Sequence, residues 1–194
     1  MKVNIILAHC REYGIGCAGK MSWRNGADLR RFADLTTGRG DYKNAIVMGR
    51  KTWQSLLRPL AFRDNLILSR QCTPTPVAPD DPPHSFWFSS IDAVLAHCEN
   101  MKYDEVWIIG GEQLYSEFLG AQSPYRSLVH TVLVTRIDAD FECDTFCSAD
   151  IVSPDALREH FALRSVRTEL ERCTNLVSGD AKIVSVSYYE YVRE

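Results

Sequence analysis

Asp28 stands on a face that hydrophobic spacing assigns to the interior. In the stretch Ala27-Asp28-Leu29-Arg30-Arg31-Phe32-Ala33-Asp34-Leu35 a helical period puts 28, 32 and 35 on one side, so a carboxylate keeps company with Phe32 and Leu35. An ionised carboxylate taken out of water without a partner is strongly disfavoured. Two readings satisfy it. Asn25 can cap the helix, with Asp28 reaching back to the cap and meeting the positive end of the helix dipole. Alternatively, a ligand brings hydrogen-bond donors to the carboxylate.

Two glycine sites stand where a strand should pass into a helix: Ile46-Val47-Met48-Gly49-Arg50-Lys51-Thr52 and Val106-Trp107-Ile108-Ile109-Gly110-Gly111-Glu112. A missing side chain lets a ligand approach the backbone, and the free N–H groups of a helix start favour phosphate. Two such joins suit a two-ended ligand, and Arg50, Lys51 and Arg70 beside Ser69 add positive charge. The plainer alternative is that each glycine only permits a tight turn.

Three other motifs fail on context. Gly14-Ile15-Gly16-Cys17-Ala18-Gly19 matches a dinucleotide fingerprint string, yet His9 to Tyr13 separate it from the strand and no helix start follows. Gly49-Arg50-Lys51-Thr52 lacks the upstream glycine of a P-loop. Arg39-Gly40-Asp41 is an adhesion-type tripeptide with no sign of secretion around it, and reads as a solvated turn.

The elements that must position these groups follow from the apolar pattern. Short runs rich in Val and Ile alternate with helix-period segments, which predicts strands crossing over helices into a largely parallel sheet. Strands are expected at 2–8, 45–48, 65–69, 86–88, 105–109 and 128–136, and helices from 26 to 37, 51–57, 91–99 and 112–119. Residues 161–170 and 182–192 have strand composition with no helix between, so they predict an antiparallel hairpin. His9 to Asn25 reads as one long loop carrying Ile15, Met21 and Trp23; loops of that length in a compact domain tend to be lids. Thr73 to His84 holds five prolines in twelve residues and reads as a surface excursion.

Composition bounds the function classes. At 194 residues, 45% hydrophobic and 24% charged, the chain fits one globular domain spanning 1–194. A net charge of -3, with basic residues scattered, argues against nucleic acid. Seven cysteines without paired C-x-x-C spacing fit reduced thiols in a cytoplasmic protein, and no metal site is expected. The apolar start Met1 to Ala8 is too short for a signal or a membrane span and reads as the first strand.

Ile15-Gly16, Met21-Ser22-Trp23, Ala27 to Phe32, Val47 to Trp53, Arg58-Pro59-Leu60, Arg63-Asp64-Asn65, Leu68-Ser69-Arg70, Ile109-Gly110-Gly111, Leu114-Tyr115 and Thr135 to Asp138 closely resemble, in order, the dihydrofolate reductase family. The resemblance covers nearly the whole chain. It implies an α/β fold with a central eight-stranded, mixed but mainly parallel sheet, about four flanking helices and a C-terminal antiparallel hairpin. It also implies NADPH as cofactor, dihydrofolate as substrate, antifolate-like small molecules as further binding partners, a monomer, and a role in supplying one-carbon metabolism.

Residue by residue, the resemblance makes Asp28 the carboxylate that accepts from the pterin N3–H and 2-amino group, with Thr135 as its side-chain partner. The catalytic set it implies is Asp28, Trp23, Met21, Thr135 and Tyr115, with a water carrying the proton to N5. Ile6, Ala8, Leu29, Phe32, Leu56, Leu60 and Ile109 become apolar walls for the substrate, and Arg63 the partner of its α-carboxylate. Cofactor contacts fall to Ala8, Ile15, Gly16, Gly49, Arg50, Lys51, Thr52, Leu68, Ser69, Arg70, Gly110, Gly111, Glu112, Gln113, Leu114 and Tyr115. Ser69 and Arg70 form the pocket for the 2'-phosphate, and the Gly110–Gly111 peptide is expected cis. Ser22 and Gly26 replace prolines usual in the family, which predicts a looser lid and helix entry. Ala61-Phe62 replaces a glycine-containing turn before Arg63.

Overall fold

A computed structural model describes residues 1–38, 43–70 and 84–194. The Arg39-Gly40-Asp41 tripeptide and all of the proline-rich stretch but His84 lie outside the described residues. The chain begins with β1 (Lys2–His9), β2 (Gly14–Gly16), β3 (Trp23–Asn25), α1 (Gly26–Thr36), β4 (Asn44–Gly49), α2 (Arg50–Ser55) and β5 (Asp64–Leu68). It continues through β6 (Ser85–Phe88), α3 (Ile91–Met101), β7 (Glu105–Ile108), α4 (Glu112–Leu119), β8 (Val129–Ile137) and β9 (Thr145–Phe146). Two short helices, α5 (Ala149–Val152) and α6 (Pro154–Arg158), lead to β10 (Ala162–Asn175) and β11 (Ala181–Val192).

The main sheet runs β3-β10-β11-β8-β1-β7-β4-β5-β6. It has nine strands where eight were expected. The reason is β3: Trp23, Arg24 and Asn25 pair antiparallel with Asn175, Thr174 and Cys173 at the far edge. What read as one loop from His9 to Asn25 therefore contains two strands, since β2 pairs with β9 in a separate small sheet. Six α-helices are present among the described residues rather than four. The extra pair, α5 and α6, is too short for a hydrophobic period to register. Each is set by its cap: Ser148 accepts from Asp150 N–H, and Ser153 accepts from Ala156 N–H ahead of Pro154.

In the main sheet five pairings are parallel and three antiparallel, in keeping with a largely parallel sheet. Central strands are buried on both faces, which is why β1, β4 and β7 read as continuous apolar runs: Ile5, Ile46 and Ile108 are fully inaccessible. The β10–β11 hairpin is longer than expected on the β10 side and carries the sheet out to β3. Because β8, β1, β7, β4 and β5 all run the same way, their carboxyl ends lie along one edge. Ala8, Thr135, Ile109, Gly49 and Ser69 sit at or just past those ends, where open α/β sheets bind ligands. Among the described residues no helix is long and apolar enough to cross a membrane.

Candidate active site

The entry to α1 decides where Asp28 goes. Asn25 caps the helix, its Oδ1 accepting from Ala27 N–H at 2.9 Å and Asp28 N–H at 3.1 Å. The Asp28 side chain does not reach back to that cap. Its Oδ1 instead accepts from the Thr135 hydroxyl at 2.7 Å. Thr135, 1% exposed, lies on β8 between Ala8 of β1 and Tyr188 of β11. Burial pushes the Asp28 carboxyl above its ordinary value, and the charge of Glu171 pushes the same way; the Thr135 hydrogen bond and the Arg31 guanidinium oppose both.

An apolar wall stands beside this carboxylate's helix. Ile6, Ile46, Met48, Ile67, Trp107 and Leu133 form a buried cluster, against which Phe32, Leu56, Leu60 and Ile109 pack half-exposed. Of the apolar residues expected there, two depart: Leu29 is 43% exposed and outside that cluster, and Ala8 packs instead against the cluster of Cys10, Trp23 and Tyr188. Arg63 is held at the α1 end, donating from Nε to Ala61 O at 3.0 Å and from Nη1 to the Thr36 hydroxyl. Its guanidinium lies 5.7 Å from the centre of the Phe32 ring. Phe62 is exposed with a positive φ of 60°, so the altered turn before Arg63 is accommodated by a left-handed residue facing solvent.

Trp23 is buried to 1% exposure, its ring 5.4 Å from that of Phe141, while Met21 is 41% exposed. The Trp23 indole N–H is buried without a hydrogen-bond partner. Ser22, expected to loosen this strap, is itself buried and donates its hydroxyl to the Glu142 carbonyl, a bond that the usual proline could not make. Gly26 leaves room at the helix entry, where an added Cβ would meet only Arg30 Nη1 at 3.5 Å.

The two glycine joins come together. Gly49 N–H donates to Gly110 O at 2.8 Å, and the Gly110–Gly111 peptide is cis. Gly110 has φ of 102°, and a Cβ there would lie 2.8 Å from the Tyr115 ring, so no other residue fits. A Cβ on Gly111 would reach Thr52 Oγ1 at 3.5 Å, which places the starts of α2 and α4 side by side. The Tyr115 hydroxyl donates to Ile6 O at 3.0 Å, and burial keeps it protonated. Leu114 packs into the main core, with its N–H bonded to Gly111 O, so it braces the join from behind. Arg50 and Glu112 are half-buried there, and Lys51 and Gln113 exposed. Beyond β5, Leu68 is half-buried, Ser69 buried and Arg70 exposed. Ile15 and Gly16 lie in β2, and a Cβ on Gly16 would meet Lys20 O at 2.6 Å.

The family model described as dihydrofolate reductase matches residues 2–165. The chain belongs to the dihydrofolate reductase family. Similar proteins include a dihydrofolate reductase of Drosophila melanogaster, 32% identical over 165 residues covering 82% of this chain and 84% of that one. A dihydrofolate reductase of Candida albicans is 38% identical over 154 residues, 74% of each chain. A bifunctional dihydrofolate reductase-thymidylate synthase of Arabidopsis thaliana is 37% identical over 152 residues, which cover 74% of this chain but only 26% of that protein. This family member thus spans about a quarter of the fused relatives it matches and most of the separate reductases.

Sequence reasoning missed a second buried carboxylate. Glu171 of β10, 8% exposed, accepts from Tyr188 OH at 2.8 and 2.9 Å and from Asn25 Nδ2 at 2.6 Å. Nothing local marks it. It lies in a largely exposed strand, and its neighbours come from β3 and β11.

Proposed function

We propose that this chain reduces dihydrofolate to tetrahydrofolate with NADPH. The observation that carries the reading is the Thr135 hydroxyl bonded to a half-buried Asp28 carboxylate next to an apolar wall. A flat heterocycle with two adjacent N–H donors suits such a carboxylate, since both bonds are charge-assisted and the ligand itself relieves the desolvated charge. Phe32, Leu56, Leu60, Ile6 and Ile109 supply the apolar faces for pterin and benzoyl rings, and Arg63 a planar cation for the glutamate carboxylate.

The adjoining glycine joins support a dinucleotide: at Gly49 an added Cβ would meet only backbone atoms at 3.9 Å, so the backbone there is open to contact, and Arg50, Lys51, Ser69 and Arg70 supply donors for phosphates. NADPH bound there would supply a hydride to pterin C6. Asp28 and Thr135 orient the opposite end of the ring, so the proton for N5 comes through water. The unpartnered Trp23 indole N–H is a donor for that water, while Met21 and Trp23 limit bulk access. The test is a mixture of protein, NADPH and dihydrofolate. Loss of the reduced-nicotinamide absorbance is expected, and a steady signal refutes the reading.

A further inference from the structure

Asn25 faces two ways. Its Oδ1 takes the first N–H groups of α1, so its Nδ2 must find acceptors, and these are Glu171 Oε2 at 2.6 Å and, as a weaker acceptor, Cys173 Sγ at 3.5 Å. A side-chain amide turned over would put its NH2 against helix donors and its oxygen against a carboxylate, losing both sets of bonds. Glu171 is fixed in turn by Tyr188, the β11 neighbour of Thr135, which itself binds Asp28. The buried chain Glu171–Asn25–α1 therefore ends at the pocket carboxylate.

We propose that Glu171 is a positioning residue for Asp28: it locks the Asn25 amide in its capping orientation and, tied to that amide and to Tyr188, is held among the groups that surround Asp28. This deepens the reading above and rests on it for its catalytic consequence. The groups around Asp28 are Arg31 on its own helix, Glu171 and Cys173 on β10, Tyr188 on β11, Tyr115 on α4 and the Thr135 hydroxyl on β8; Arg167 of β10 covers the Tyr188 ring from 5.0 Å. Burial opposes Asp28 ionisation most, and Glu171 is the acidic group that adds to it.

Glu171→Gln keeps the volume and an acceptor for Asn25 but removes the charge. The side-chain carboxyl carbon of Asp28, assigned by its loss in Asp28→Asn, is followed by NMR across pH in carbon-labelled protein. Its midpoint is expected to fall in Glu171→Gln, and the pH profile of dihydrofolate turnover to move the same way. An unchanged Asp28 midpoint overturns the proposal whether or not the protein is active; an inactive wild type overturns only the functional reading. The amide lock is tested separately by thermal unfolding. Asn25→Asp still caps the helix but cannot donate to Glu171, so it is expected to melt lower. Adding Glu171→Gln restores a donor–acceptor pair with the roles exchanged, and failure to recover would overturn the lock.

A separate observation concerns two thiols. Cys10 Sγ, just past β1, lies 3.6 Å from Cys143 Sγ, and a Cβ on Gly14 would press on both sulfurs, at 2.9 and 2.7 Å. Cys143 is half-buried while Cys10 is 2% exposed. The geometry points to Cys10 and Cys143 as a site of reversible oxidation by small disulfides. The Cys143 thiolate attacks oxidised glutathione, releasing one glutathione thiol. Cys10, whose thiol burial pushes up to about 12, then loses its proton and attacks Cys143 Sγ, releasing the second. Two protein thiols are oxidised and one glutathione disulfide is reduced. Native protein treated with oxidised glutathione should lose two hydrogens by intact mass and yield a Cys10–Cys143 cross-linked peptide. Cys10→Ser should instead stop at a glutathione adduct on Cys143. A stable adduct on the native protein, a link elsewhere, or no reaction would overturn it.

Discussion

The Thr135 hydroxyl reaches Asp28 Oδ1 at 2.7 Å across 107 positions of sequence, joining the central sheet to the first turn of α1. Asp28 is thereby held within the fold, and among the described residues it has no ion pair of its own. Burial raises its affinity for a proton, and a hydroxyl offsets that in part.

Replacing Asp28 by Asn should lower turnover with dihydrofolate by about a hundredfold or more at neutral pH, as read by steady-state kinetics. It should also stabilise the ligand-free protein. The folded-state pKa of Asp28 is raised above 3.8, so the native state holds the proton more tightly than the unfolded state. Stability is thus greatest below the unfolded value and declines as pH rises through the folded value. Thermal unfolding of wild type and variant should converge in acid and separate toward neutrality. Equal melting temperatures at neutral pH would contradict the burial of this charge.

Thr135→Val removes the donor but keeps the shape. A hydrogen bond to a charged group is worth roughly 1.5–3 kcal/mol, so dihydrofolate binding should weaken by about 10- to 100-fold. The Asp28 midpoint should rise further, and Thr135→Ser should retain most of the affinity. Titration of ligand-binding fluorescence for the three proteins decides this; wild-type affinity in the valine variant would count against it.

Arg63 sits against Phe32 with its guanidinium anchored on Thr36 and Ala61. Arg63→Ala should weaken dihydrofolate by about tenfold or more while leaving a dihydropterin without the glutamate nearly unaffected. Equal losses for both ligands would show that Arg63 supports the wall rather than reading a carboxylate.

For Arg70, exposed beyond β5, replacement by Ala should raise the KM for NADPH far more than that for NADH. The comparison at fixed dihydrofolate is sufficient, and parallel increases would remove Arg70 from the 2'-phosphate pocket.

Much of this site was legible before any tertiary structure. The Asn25 cap, the helix face shared by Asp28 and Phe32, and the glycines at 49 and 110 are local features, fixed by helix period and by the geometry of strand ends. The alternative use of Asp28 as part of its own cap was equally local, and only the position of Thr135 excludes it. Likewise the short helices α5 and α6 carried cap signals at Ser148 and Ser153, but no apolar period to draw attention to them.

By itself the sequence determined where β1, β4, β5 and β7 lie along the chain, the apolar runs that bury them, and the residue types at the ligand-binding edge, because each depends on neighbours within a turn or two. The tertiary structure alone decided that β3 closes the sheet against β10, that Glu171 meets Asn25 across 146 positions, and that two distant cysteines lie side by side. Such contacts arise when separate strands are brought into register by a common core, and strand pairing leaves no local periodic trace of which distant partner it will choose.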